Sequence, residues 1–438
     1  MIAMRRRQGP ETTIVACATA LGRGAIAVLR LSGPSAGAAV ESLAGIVPKP
    51  RRLTLQTYRD PATGFAIDEG LTAWFPAPRS FTGEDCAEFQ VHGGPAVIEA
   101  MIRACLQCPD IRLAEPGEFT RRAVGNGRLD LAQAEALADL ISAETEGQRH
   151  QALGIMRGSL GEQIRDWRRQ LVVAASLIEA QLDFADEADI DSSVERQSHD
   201  LIASVRNEVD LAVAGAKRSI QIRNGFVVAL AGPPNAGKST LINRLAAREV
   251  SIVSPYKGTT RDAIEARCAV EGHAVNFVDL AGLRETTDPI ERIGVERAQE
   301  QMRAADLVLW LSPSDEPAPP PPGFDCLIVV TKSDLAPVES ELSVSARTGD
   351  GLPALLKRIA QELQLQTGKG DGIVSRERQR LLLVQVCEAL CRAESQVGMP
   401  ELAAEDLRIA LDRLGMVVDP VANDEILDHL FASYCIGK

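Results

Sequence analysis

The sequence predicts a multidomain chain with an α+β N-terminal domain, an α-helical bundle domain and, inserted into the bundle, an α/β domain with a mostly parallel, doubly wound sheet. Three observations predict this. At 438 residues the chain exceeds one ordinary core and fits two to three domains. Its texture changes along its length, from short β-like runs to turn-poor helical repeats, then to strands alternating with helices, then to helix again. A glycine-rich loop at 232–239 lies directly between an apolar run and a helical one.

Residues 12–125 mix β-like runs at Thr13–Ala18, Ala25–Leu31 and Ala87–Val91 with Gly/Pro turns. From Leu129 to Arg223 turns nearly vanish, and apolar residues recur every three or four positions in Leu131–Ile141, Leu171–Leu182 and Leu201–Val213. Residues 225–370 alternate strands (Phe226–Ala231, Ala274–Val278, Leu307–Leu311, Leu327–Val330) with helical segments such as Thr240–Ala247. The Pro-rich Pro313–Pro322 is expected as an exposed loop within this part. Helical periodicity returns in Arg378–Glu394 and Glu405–Leu414. The expected boundaries are 1–128, 129–222, 223–372 and 373–438, the second and fourth segments forming one helical domain.

Hydrophobic residues at 45% and charged residues at 24% suit a globular protein with an ample core, and no run approaches the roughly 18 apolar residues of a membrane span. Met1–Pro10 carries Arg5, Arg6 and Arg7 with no apolar stretch behind them, which argues against a secretory signal; an unstructured start is expected. The nine cysteines include Cys105/Cys108 and Cys387/Cys391 but no zinc-type spacing, as expected of reduced thiols in a cytoplasmic protein. A net charge of −13 gives no support for gripping nucleic acid unaided; any RNA contact must use local arginine clusters or a partner's surface.

The chemistry is concentrated in 232–347. Gly232-Pro-Pro-Asn235-Ala236-Gly237-Lys238-Ser239-Thr240 is the GxxxxGK[ST] loop in its required setting, after a strand and before a helix. Backbone N–H groups and the helix N-terminus there suit phosphates, Lys238 supplies charge to the β/γ-phosphates, and the Ser239 hydroxyl suits Mg²⁺. Thr259-Thr260 follows a loop-like stretch; a threonine there completes the Mg²⁺ shell and reports the γ-phosphate. Asp279-Leu-Ala-Gly282 follows a strand, its aspartate reaching Mg²⁺ through water and its glycine N–H the γ-phosphate. Thr331-Lys332-Ser333-Asp334 matches the guanine-reading element, with Asp334 accepting from guanine N1 and N2. Thr331 stands where Asn is usual, a tolerable departure whose expected cost is looser contacts between loops. Ser345-Ala346-Arg347 fits the last element, where a backbone N–H meets guanine O6. The inserted domain is therefore expected to be a P-loop GTPase. Leu283 occupies the place of the water-orienting glutamine of Ras-type enzymes, and no arginine finger declares itself.

These motifs, with others outside the α/β segment, resemble the tRNA-modification GTPase family MnmE (TrmE) over almost the whole chain. The further matches are Thr13–Arg30, Gly83–Gly94, Pro116–Glu135 and the tail Ser433-Tyr434-Cys435-Ile-Gly437-Lys438, with Tyr434 where the family usually has Phe. The resemblance implies a homodimer through the N-terminal domain, and hydrolysis activated by G-domain pairing around K⁺ in place of an arginine finger. The matching K⁺ ligands are Asn235, Ser254, the backbone at Tyr256, and Thr259. The water-positioning glutamate matches Glu291. A 5-formyl-tetrahydrofolate-type donor is implied at Arg30, Glu88, Arg128 and Lys438, and Cys435 is implied in the chemistry, though a plain tail thiol is the alternative. The family works with the flavoprotein MnmG, which carries FAD and most of the RNA grip, in a heterotetramer. Together they add a carboxymethylaminomethyl or aminomethyl group at C5 of wobble uridine in certain tRNAs. A ribosome-assembly GTPase switch and a folate-dependent one-carbon transferase with a GTPase insert are the competing readings.

Overall fold

The structure, a computed structural model, describes residues 12–20, 22–183, 192–248, 266–280, 289–336, 340–367, 372–396, 398–419, 431 and 437. The chain divides into two compact units, Met1–Ala138 with Val418–Lys438, and Asp139–Val417.

The first unit begins with β1 (Thr13–Cys17), β2 (Ile26–Ser32), α1 (Ala36–Ala44), β3 (Thr54–Arg59), β4 (Ala66–Phe75), β5 (Cys86–His92), α2 (Pro95–Leu106), β6 (Ile111–Leu113), α3 (Glu118–Gly125) and α4 (Leu131–Ser142). Its six strands form one sheet in the order β3-β4-β5-β2-β1-β6. Only β1 and β6 pair in parallel; the rest are antiparallel. Alternate residues of β2 and β5 (Ala27, Leu29, Leu31; Ala87, Phe89, Val91) turn to one face, where Val40 and Leu43 of α1 and Met101 and Cys105 of α2 cover them. The opposite face of β1 carries Ile14 and Ala16, packed on Phe119 of α3.

The second unit continues with α5 (Glu146–Met156), α6 (Ser159–Asp183), α7 (Ser192–Asn224), β7 (Phe226–Ala231), α8 (Lys238–Arg248), β8 (Ala266–Val270), β9 (His273–Asp279), α9 (Pro289–Ala304), β10 (Leu307–Pro313), β11 (Leu327–Thr331), α10 (Leu352–Thr367), α11 (Glu377–Ser395) and α12 (Pro400–Val418). Leu160, Ile164, Trp167, Leu171, Ala174 and Ile178 make one buried stripe along α6 at helical spacing. The Trp167 indole donates to Glu208 of α7 at 2.8 Å. Helix α11 packs on α7 and is tied to α12 by Arg392–Asp406 at 2.8 Å.

Between α7 and α11 lies a five-stranded sheet in the order β11-β10-β7-β9-β8, parallel except for the edge strand β8. Its central strand is apolar on both faces because helices cover both. Phe226, Val228 and Leu230 meet Leu241 and Leu245 of α8 and Leu355 and Ile359 of α10. Ala229 and Ala231 meet Ala298 and Met302 of α9 and Trp310. The places where the chain enters and leaves this sheet are joined, since the Ser219 hydroxyl donates to the Gly372 carbonyl at 2.9 Å. The α+β, helical and doubly wound α/β architecture expected from sequence is the one observed. The Pro-rich stretch is largely loop, although Pro313 ends β10.

Candidate functional site

The site is built at the C-terminal edge of the parallel sheet, where strand ends and helix starts converge. Strand β7 ends at Ala231, and the chain turns at Gly232 with φ 155°. A Cβ there would lie 2.6 Å from the Leu311 carbonyl oxygen, so the loop can approach β10 only through glycine. The loop closes with Asn235 at φ 62° and Gly237 at φ 89°, left-handed positions that asparagine and glycine tolerate. Helix α8 then begins at Lys238, whose neighbours Ser239 and Thr240 are exposed, as is Asn235.

Lys238 is buried beneath the loop, its ammonium donating to the carbonyls of Gly232 at 3.1 Å and Pro233 at 3.2 Å. Burial pushes its pKa below the ordinary lysine value, opposed by the Asp279 carboxylate. That carboxylate, at the end of β9, accepts from the Ser239 hydroxyl at 2.8 Å, while its other oxygen, Oδ1, is buried with no hydrogen-bond partner among the described residues. A hydroxyl and an orphaned carboxylate oxygen side by side are hard oxygen donors of the kind Mg²⁺ takes.

From the neighbouring strand β11, the Thr331 hydroxyl donates to the Ala236 carbonyl at 2.7 Å. This contact ties the end of β11 to the phosphate loop. Lys332 follows at φ 58° and pairs with Asp315 at 3.0 Å. Asp334 accepts from the buried Ser345 hydroxyl at 2.7 Å, so the two base-side elements are hydrogen-bonded to each other. The Ser345 backbone is fixed in turn, its N–H donating to Asp350 at 3.0 Å. Ala346 is half-buried and Arg347 exposed beside them. The structure thus brings together Ala236, Lys238, Ser239, Asp279, Thr331, Asp334 and Ser345. Ser254, Tyr256, Thr259, Thr260 and Gly282 lie outside the described residues, as does the side chain of Glu291, whose backbone belongs to α9.

In the N-terminal unit, Arg30 and Glu88 stand opposite each other on β2 and β5 and pair directly, Nε and Nη2 reaching Oε1 at 3.0 and 2.8 Å. Arg128 is exposed after α3. Cys435 and Lys438 lie outside the described residues. Gly437 is described, with φ 97°, and sits so close to the end of β1 that a Cβ would lie 2.4 Å from the Cys17 carbonyl oxygen.

Sequence reading passed over an ionic network beside this pair. Glu118, 2% exposed, accepts from Arg112 and Arg122, and Arg122 also pairs with Glu84 at 3.0 Å. Burial works to raise the Glu118 carboxyl, but hydrogen bonds from Arg112, the Glu115 N–H and Arg122 outweigh it and hold it below the usual carboxylate range. Its only sequence signal is the run Glu118–Arg122, which is equally readable as a solvated helix face.

Among the described residues, no helix is long and apolar enough to cross a membrane and no cluster of His, Cys, Asp or Glu is arranged for a metal.

A family model described as the GTP-binding protein TrmE N-terminus matches residues 13–128, and one described as the MnmE helical domain matches residues 131–435. A protein named tRNA modification GTPase MnmE from Methylobacterium sp. (strain 4-46) is 49% identical, covering 97% of this chain and 99% of that one. Proteins of the same name from Methylorubrum populi and Beijerinckia indica are 50% and 47% identical, over 98% and 97% of this chain and 98% and 96% of theirs. Among solved structures, the G domain of the T. maritima FeoB iron transporter matches 31% of this chain and 98% of its own at 23% identity. Its TM-score of 0.24 is too low to support any inference. With both family models matched in order and relatives aligned nearly end to end, the chain belongs to the MnmE family of tRNA modification GTPases.

Proposed function

We propose that this chain, a GTP hydrolase of the MnmE family, uses a K⁺-assisted, dimerisation-activated GTPase cycle to drive modification of wobble uridine in tRNA. The observation that carries the GTPase part is the convergence of a buried lysine, a serine–aspartate pair and a guanine-side Asp334–Ser345 pair on one phosphate loop.

Lys238 is poised to leave its two loop carbonyls for the β- and γ-phosphates, whose negative charge favours its ammonium form against the effect of burial. Ser239 and Asp279, with Thr260, would hold Mg²⁺, which when bound neutralises charge building on the phosphates. Asp334 would exchange the Ser345 hydroxyl for guanine N1 and N2, leaving Ser345 to hold its loop. Asn235, exposed at the loop's left-handed bend, presents an amide oxygen suited to K⁺, alongside Ser254, the Tyr256 backbone and Thr259. K⁺ beside the transferring phosphoryl group would supply the charge that an arginine finger brings elsewhere. Glu291 would orient the attacking water, a role Leu283 cannot fill.

The N-terminal unit is read as the dimerisation domain and as the seat of a 5-formyl-tetrahydrofolate-type donor at Arg30, Glu88, Arg128 and Lys438. The helical domain then frames the GTPase domain within boundaries 129–222, 223–372 and 373–438. MnmG, a flavoprotein carrying FAD, is the partner in a cytoplasmic heterotetramer and supplies most of the tRNA grip, in keeping with a net charge of −13. Cys435 is assigned to the modification chemistry.

GTP turnover of the purified chain, compared in K⁺ and in Na⁺ with Mg²⁺ present, tests the cycle. A sharp rise in K⁺ that Asn235→Ala abolishes is expected, and equal rates in the two salts would sink it. Mass spectrometry of wobble uridine from cells lacking the protein tests the modification; unchanged nucleosides would leave only the GTPase.

A further inference from the structure

The turn Ser80–Glu84 touches both arginines assigned to the folate-type donor, and each of its residues is separately pinned. The Arg30 guanidinium stacks on the Phe81 ring at 5.1 Å to the centroid, with the Phe119 ring at 5.9 Å. Phe81 itself is half-buried against Ile14, Ala16, Ala114 and Phe119, so this platform cannot drift. Thr82 is fully buried, its hydroxyl 2.6 Å from that of Ser32, and its carbonyl accepts from Asn126 at 2.8 Å. Gly83 lies at φ 84°, and a Cβ there would come within 3.2 Å of Arg128 Cγ and Asn126 Cβ. Ser80 and Glu84 close the turn, the Ser80 hydroxyl donating to the Glu84 carbonyl while the Glu84 carboxylate accepts from Ser32 at 2.6 Å.

The two arginines differ in how they are held. Arg30 is neutralised by Glu88 and stacked, whereas among the described residues Arg128 makes no ion pair or side-chain hydrogen bond. A guanidinium–carboxylate pair presents adjacent donor and acceptor edges, which suits a pterin ring; a guanidinium with no partner suits a carboxylate.

We propose that Phe81 and Gly83 are positioning residues for the folate-type ligand, setting the separation between an Arg30–Glu88 pair that meets the pterin and an Arg128 that meets the glutamate tail. This rests on the folate reading of the N-terminal unit. Phe81 orients Arg30 by cation–π attraction while Glu88 fixes its hydrogen-bonding edge. Gly83 lets the Arg128 stem lie against the turn, and a Cβ there, 3.2 Å from Arg128 Cγ, presses on that stem.

The test is calorimetric titration of the full-length chain with 5-formyl-tetrahydrofolate and with 5-formyl-tetrahydropteroate, which lacks the glutamate. Phe81→Leu keeps the apolar volume and loses the quadrupole, so affinity for both ligands is expected to fall about threefold to tenfold, with Phe81→Tyr restoring it. Gly83→Ala is expected to lower affinity for the folate about tenfold but to leave the pteroate nearly unchanged, erasing the discrimination between them. A cooperative melting transition in each variant would show that both fold, with that of Gly83→Ala lowered by the strain of alanine at a left-handed φ of 84°. Parent-like affinities in Phe81→Leu, or equal losses for both ligands in Gly83→Ala, overturn the proposal while leaving the folate site standing. A parent chain that binds neither ligand overturns both.

Discussion

Thr331 is the residue at which the guanine-side strand meets the phosphate loop, through one hydrogen bond of 2.7 Å to a carbonyl that has little access to water. Thr331→Val keeps the shape and strands that carbonyl, at a cost of about 1–3 kcal/mol. Guanidinium titration should show the loss, and GDP affinity should fall with it, since the same bond locates Ala236. Asn at this position should match or exceed the parent. Glu118 offers a pH-dependent counterpart. Its folded pKa lies below its unfolded value, so its stabilisation is fully present above about pH 4.3 and fades as pH falls through the lowered folded value. Arg112→Met removes the largest of the opposing hydrogen bonds. It should shift acid unfolding of the N-terminal unit upward by about 0.5–1 pH unit in circular dichroism, where Glu118→Gln should flatten that limb. Gly437→Ala tests the tail: its left-handed φ and the close Cys17 carbonyl should cost about 1–3 kcal/mol, read as a lower melting temperature.

At the scale of elements, the phosphate loop was legible because residue type and backbone geometry are one fact there. Only glycine fits beside Leu311, and only a strand-to-helix transition fits the spacing. Strands β7, β9 and β10 were legible for a similar reason, each being a short run buried on both faces, whereas β11 was legible from its apolar sequence although Ile328 on this edge strand is exposed. The bonds from Thr331 to Ala236 and from Ser345 to Asp334 were not, because they follow from the register of neighbouring strands, which no local pattern encodes. Strand β3 hides among exposed residues, with Leu55 turned to solvent, and β6 has three residues. Strand β4 hides behind Gly70, a strand-breaking residue by habit, yet required where a Cβ would lie 2.1 Å from the Gln90 carbonyl oxygen. Gly70→Ala should therefore force β4 and β5 apart and raise amide exchange across 86–92, while the sheet around β7 keeps its protection.

For the molecule as a whole, charge makes the sharpest prediction. A chain of net charge −13 neutralises few phosphates, so by itself it should bind tRNA weakly, with Kd above about 1 μM at physiological salt. Adding MnmG should tighten binding at least tenfold in fluorescence anisotropy, and equally tight binding without it would refute the division of labour. Family membership could be read from motifs spread along the chain, because the tail and the N-terminal runs carry matches that nucleotide chemistry does not demand. The way the tail is used could not be read. Phe431 backs onto Gly117, where a Cβ would lie 2.7 Å from the Phe431 carbonyl oxygen, and Gly437 backs onto β1. Ribosomes release those partners hundreds of residues after their seats. At roughly 5–20 residues per second, the seats at Gly117 and Cys17 wait for tens of seconds in a half-born protein, bare to chaperones and to each other's neighbours on a polysome. A translation pause late in the message would lengthen that wait and should appear as aggregation of nascent chains, not of finished ones.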